Sequence, residues 1–221
     1  MNPPARHCPG FALVLGLLLL AALSLLAVMA ANGMVLQRRM AANFEDRERA
    51  LANAGLATAA ALAWLYSRAD FEREAGCTDG CLLPPAVHDG GTLPERPEFE
   101  SASWWRTNAV AAGSHPETGE PAGHLPSSGG SALWLLEEIH FQPLDPPPAG
   151  PDAAAAGFYR VLGRGSGRQA GSVAVSEAIV ARPWQGDYRP ADYPPPPGAE
   201  SFCRQFDPSV PCGTLAWRQR K

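Results

Sequence analysis

From Phe11 to Ala31 the chain carries leucine, alanine, valine and methionine with one glycine and one serine, and between Phe11 and Arg38 no charged side chain appears. At about 1.5 Å per residue of helix, that run reaches roughly 30 Å, the thickness of a bilayer's hydrocarbon core. It therefore reads as a membrane span over 11–31. Val28-Met29-Ala30-Ala31 would also serve as the cleavage site of a secretory signal. The residues beyond the run argue for its retention: Val35 to Arg73 contains no proline and continues in helix-forming residues, so span and sequel read as one element. Over 32–75 the polar pattern changes to that of an amphipathic helix. Leu36, Met40, Phe44, Leu51, Leu62 and Leu65, with Ala54 and Thr58 between them, fall close to one face. Glu45 and Arg49 stand four apart in the order that supports a helix.

The helix is expected to fail near Gly76, and Pro84-Pro85 forbids regular structure directly after it. The stretch 76–130 is rich in proline, glycine, serine and threonine. It reads as loop, with one short strand or helical turn around Ala102 to Val110 beside Trp104-Trp105. Strand signals occupy 131–182: Ala132 to Phe141, Gly157 to Leu162 and Ser172 to Arg182. The last two form a plausible hairpin, with Gly163-Arg-Gly-Ser-Gly167 as its turn. The remainder, 183–221, is an extended tail containing Pro194 to Pro197.

Composition narrows the picture. With 221 residues, 46% of them hydrophobic, the chain has room for one membrane helix and one modest domain. A net charge of -4 offers no basic footprint for nucleic acid. The 23 prolines and 22 glycines require much loop. Cys8 lies in the leader, while Cys77, Cys81, Cys203 and Cys212 fall into two close pairs that suit disulfides in an oxidising space. Four cysteines allow three connectivities, and a zinc site is the alternative use. The cysteines favour export of the C-terminal part. Arg6 and His7 on one side of the span and Arg38 and Arg39 on the other slightly favour the opposite orientation.

Two stretches carry a family resemblance. The leader Met1 to Gly10, with Arg6 and Pro9 before Phe11, resembles that of type IV prepilins, which implies cleavage by a membrane peptidase between Gly10 and Phe11 and methylation of the new terminus. Gly33 to Ala54 resembles the PilX family of minor pilins, whose span runs into an "ERMAxNxxDRxxAxxAAE" stretch. Arg39, Met40, Ala41, Asn43, Asp46, Arg47, Ala50 and Ala54 fall on that pattern, while Gly55 stands where the family often has glutamate. Leu15, fifth from Phe11, replaces the glutamate most pilins carry, as PilX-like proteins and the K-type pseudopilins commonly do. The three strands resemble the "YxIEE", "YRVxxRG" and "AVxxxxxxxR" strands of PilX-like heads, and Cys203 to Cys212 resembles the disulfide-closed loop near a pilin C-terminus. The resemblance implies an α+β, pilin-like fold: a long N-terminal helix packed on a small antiparallel sheet, with a loop-rich C-terminal region.

A search for chemistry finds little. Gly165-Ser-Gly167-Arg-Gln-Ala170 fits the letters of a dinucleotide fingerprint but precedes a strand, so a pyrophosphate would find no helix N-terminus. No nucleophile elbow or phosphate loop is present. His88, His115, His124 and His140 are scattered, and Glu137 and Glu138 point to opposite faces of one strand. No catalytic residue, cofactor or metal is expected, and Asp46 and Arg47 read as solvated or subunit-bridging charges.

The resemblance implies a minor pilin of the bacterial inner membrane with a periplasmic head. Its assembly contacts would involve Leu15, Gly16, Arg39, Met40, Asn43, Asp46 and Arg47. Its partners would be other minor pilins, the major pilin, the assembly platform and the prepilin peptidase. Gly16, Ala21, Ala22, Ala27, Ala30 and Ala31 would let neighbouring helices approach. Two other readings stay open: a K-type-like pseudopilin of type II secretion, for which the chain is short, and a membrane-anchored periplasmic enzyme or binding module.

Overall fold

A computed structural model describes residues 9–68, 81–83, 93–122, 130–144, 155–184 and 202–220. The chain divides into two compact units, Met1–Glu45 and Asp46–Lys221, and one helix, α1 (Pro9–Ser67), supplies residues to both.

In the first unit, α1 is exposed on every side. Leu13, Leu18, Leu26 and Met29 are each more than 60% accessible, and so are Met40 and Phe44 further along. The one hydroxyl in the apolar run, Ser24, donates back to the carbonyl of Leu20 at 2.8 Å, which satisfies it within the helix. A stretch of helix as apolar all round as Leu13 to Met29 needs a solvent other than water.

The second unit is a six-stranded antiparallel sheet with α1 on one face. Its strands are β1 (Cys81–Leu83), β2 (Val110–Ala111), β3 (Ala132–Pro143), β4 (Ala155–Ser166), β5 (Val173–Trp184) and β6 (Gly213–Arg220). They run in the order β1-β3-β4-β5-β6, with β2 also pairing β3. A bulge between Glu138 and His140 shifts the register of β3 against β4. Alternation divides the sheet residues between two cores. Trp134, Leu136, Tyr159, Val161, Ala178 and Val180 face α1. Leu133, Leu135, Leu162 and Val175 face the other way and pack under the short helix α2 (Ala102–Asn108), whose Trp105 is fully buried. Ser101 caps α2, accepting from the Trp104 amide at 3.1 Å, and Trp105 Nε1 donates to the Pro97 carbonyl at 2.9 Å.

A third, smaller cluster of Phe202, Phe206 and Val210 lies against Tyr66 and is closed by the Cys203–Cys212 disulfide. Cys81 is also disulfide-bonded, and Cys77 lies outside the described residues.

The structure departs from the sequence reading in several places. Gly163 to Ser166 do not form a turn; they are the last residues of β4, and the chain reverses after them, between Gly167 and Ser172. The tail contributes an edge strand, β6, paired to β5, and the loop region contributes β1 and β2, both on β3. Helix α1 ends at Ser67, and Gly76 lies outside the described residues. The apolar stripe read along 36–65 also divides. Leu36, Met40 and Phe44 are exposed, Leu51 and Leu62 are half-buried, and only Ala54, Thr58 and Leu65 are buried.

Candidate functional site

The face that α1 presents to the sheet is built from alanine: Ala50, Ala54, Ala57, Ala60 and Ala61 are all essentially inaccessible, followed by Trp64 and Leu65. Opposite them, glycines alternate along β4. A methyl group at Gly163 would stand 2.4 Å from the Ala54 carbonyl oxygen. One at Gly165 would stand 2.0 Å from the Ala50 carbonyl oxygen and 2.3 Å from the Ala54 amide nitrogen. One at Gly167 would meet the Asp46 carboxylate at 2.7 Å. Each of these distances is far inside contact range, so at Gly163 and Gly165 the strand backbone lies directly on the helix backbone, while Gly167, just past β4, makes room for the Asp46 side chain.

The spacing makes this repeatable. Asp46, Ala50 and Ala54 are one helical step of four residues apart, about 6 Å each. Gly167, Gly165 and Gly163 are one strand step of two residues apart, about 6.7 Å each. The two pitches nearly coincide, so three successive pairs can be in contact at once.

Polar groups fix the register of that contact. Asp46 is 5% accessible and accepts from the backbone amides of Arg168, at 2.5 Å, and Gln169, at 3.2 Å, in the β4–β5 turn. Asn53 Nδ2 donates to the Ser166 carbonyl at 2.7 Å. Thr58 and Ser176 share a hydrogen bond at 2.9 Å, and the Ser176 hydroxyl also lies 3.3 Å from the carbonyls of Ala54 and Gly163. Hydrogen bonds from the Ser172 side chain and the Arg168 amide hold the Asp46 carboxyl below the usual carboxylate range. Asp46 is thus not a solvated surface charge. It clamps the hairpin turn.

At the other end of the same face, Trp184 Nε1 donates to the Tyr159 oxygen at 2.8 Å, and Tyr159 donates to Glu138 Oε2 at 2.9 Å. Burial, then the charge of Glu138, pushes the Tyr159 phenol well above its ordinary range, so it stays protonated and acts as a relay of hydrogen bonds only. The buried Arg182 donates to the Arg68 carbonyl at 2.5 Å and stacks on Trp184 at 3.5 Å. Tyr66, stacked on Phe202 at 4.8 Å, is pushed up to about 12 by burial.

The residues singled out from sequence therefore do not form one constellation. Leu15, Gly16, Arg39, Met40 and Asn43 belong to the exposed first unit, and a methyl group at Gly16 would meet nothing within 4 Å. Arg47 is exposed, next to the buried Asp46. Gly10 and Phe11 lie in the first turns of α1. Glu137 and Glu138 do part to opposite faces, Glu137 pairing with Arg160 at 2.6 Å. What the sequence reading missed is the pairing of Asp46 and the alanine row with the β4 glycines. The signal available was the alternation of Gly163, Gly165 and Gly167, which marks close backbone approach as well as it marks a turn.

Among the described residues no group of three or more histidine, cysteine or carboxylate side chains is gathered for a metal. Among the described residues one helix, near the N-terminus, is long and apolar enough to cross a membrane, and its apolar stretch is exposed throughout. That supports membrane anchoring.

A sheet, a helix clamped to it by small residues, and an exposed apolar continuation of that helix's sequence support a membrane-anchored protein. Residues 10–59 match the family model PilX N-terminal, so the N-terminal region of the chain is similar to that of PilX-like minor pilins. PilX proteins are structural pilins without catalytic activity, and the match supports a general role in pilus biogenesis. No curated protein and no solved structure matches the chain.

Proposed function

We propose that the chain is a minor pilin that takes part in type IV pilus assembly as a non-catalytic subunit of the filament or of its tip complex. The observation that carries this reading is the unpartnered apolar helix of the first unit, within a region of PilX type. In the inner membrane, lipid would solvate Leu13 to Met29 while the head occupies the periplasm. On extraction, the apolar helices of neighbouring pilins would take the place of lipid. Head-to-tail contacts of this kind do not close into a ring and so give a helical filament. The small residues Gly16, Ala21, Ala22, Ala27, Ala30 and Ala31 leave room for such neighbours. In this reading the prepilin peptidase removes 1–10 and exposes Phe11. Other minor pilins, the major pilin and the assembly platform are the partners.

The test is the N-terminal residue of the protein recovered from membranes, together with piliation of a deletion strain. The expected results are Phe11 and a loss of surface pili and twitching. A mature chain that begins beyond Ala31, or normal piliation without the protein, overturns the reading.

A further inference from the structure

On the face of the sheet away from α1, a cleft of about 280 Å³ opens between α2 and the β4–β5 turn. Arginines reach it from three places: Arg106 from α2, Arg164 from β4 and Arg168 from the turn. Ser166 and Gln169 add polar groups, and Leu133 forms part of the lining.

Among the described residues, none of the three arginines forms an ion pair. Arg164 is 8% accessible, rests over the Trp105 ring at 6.0 Å and donates one Nη to the Ser166 hydroxyl at 3.2 Å. The carboxylates of this face are engaged with other cations: Glu137 with Arg160, Glu177 with Arg218 and Arg220, and Glu98 with Arg220. Asp46 reaches the same turn from the helix side and accepts two of its backbone amides.

Burial, and then the like charge of Arg106, pushes the Arg164 guanidinium below the ordinary arginine value. Cations that repel one another across a concave surface, in a chain of net charge -4, favour an anion between them. Guanidinium forks match oxyanions in a bidentate manner. Three positive charges are better balanced by phosphate, with about -1.5 to -2 charges at neutral pH, than by a single carboxylate.

We propose that this cleft is a binding site for a phosphate-type oxyanion, held by Arg106, Arg164 and Arg168. The site is independent of the pilus reading. Arg164 supplies the buried, pre-oriented donors, and Arg106 and Arg168 close over the anion from the two walls.

The test uses the full-length protein in uncharged detergent micelles, titrated calorimetrically at constant ionic strength with inorganic phosphate, glycerol 3-phosphate and acetate. Phosphate is expected to saturate one site. The double variant Arg106→Ala/Arg168→Ala, changed only at exposed positions, is expected to bind it at least about tenfold more weakly while melting like the parent in phosphate-free buffer. Glycerol 3-phosphate binding as tightly as phosphate identifies an esterified phosphate as the ligand, and weaker binding identifies the free anion; either result upholds the site. Absence of saturation up to about 10 mM phosphate, equal affinity in the double variant, or acetate binding as tightly as phosphate overturns it.

Discussion

The two stretches of α1 solve opposite problems with opposite residues. Before Glu45 the helix carries large apolar side chains, Leu13 to Phe44, and every one is exposed. After it the helix buries its smallest ones, Ala50, Ala54, Ala57 and Ala61, against the sheet, where strand glycines meet the first two of them. Large side chains suit a surface that must be comfortable in lipid or among other helices. Small ones suit a surface whose partner is a sheet brought to backbone contact. The same element therefore serves once as an apolar surface for a non-aqueous solvent and once as a fixed structural wall, and size of side chain separates the two roles more clearly than hydrophobicity does.

The comparison can be broken most forcefully at Trp64, which is buried, packs on Trp134 at 5.8 Å and lies under Arg68 at 5.0 Å. Trp64→Ala is expected to lower the stability of the head by about 3–5 kcal/mol, read by denaturant unfolding of the full chain in detergent. In the exposed stretch the equivalent insult is a charge: Leu23→Arg is expected to cost about 3–4 kcal/mol of membrane insertion and to leave head unfolding unchanged. An insertion assay beside a melting curve separates the two effects. Glycines sharpen the contrast. Gly165→Ala, which drives a methyl group into the Ala50 carbonyl, is expected to destabilise the head by about 1–3 kcal/mol. Gly16→Ala meets open space and is expected to raise helix stability by up to about 1 kcal/mol.

Asp46 gives a subtler reading. Its folded pKa is depressed, so its contribution is present above its unfolded pKa of about 3.9 and is lost as pH falls through the lower folded value. Asp46→Asn is expected to lower the melting temperature at neutral pH and to flatten the acid limb below about pH 4. An unchanged acid limb in that variant would show that the turn does not need the carboxylate. The smallest effect belongs to Met40→Ala, which is expected to change head stability by no more than about 0.5 kcal/mol.

Much of the architecture was legible from pattern. The uncharged run after Phe11 and the strand-forming segments within 131–182 fall where helix and strands are observed, because apolar runs and backbone propensity report which segments must leave water. Asp46 and the β4 glycines were misread for one shared reason. A lone aspartate on a helix is usually a surface group, and closely spaced glycines usually turn, so each residue taken separately pointed outward. Their meaning lies in each other. The strand β6 was hidden similarly: Gly213 to Arg220 carries no polar–apolar alternation, its Leu215 and Trp217 remain exposed, and only its ladder with β5 makes it a strand.

By itself, then, the order of residues determined where the chain must leave water: the apolar span, the strand-forming segments and the loops that separate them. That information is local, because hydrophobicity and backbone propensity belong to single residues and short windows. Which small residues face one another and which carboxylate grips which amides were decided only when β4 was laid across α1, and which arginines converge on one cleft only when α2 was laid on the opposite face. Those are distances between parts of the chain far apart in sequence, more than a hundred positions for Asp46 and Arg168, and no short window contains them.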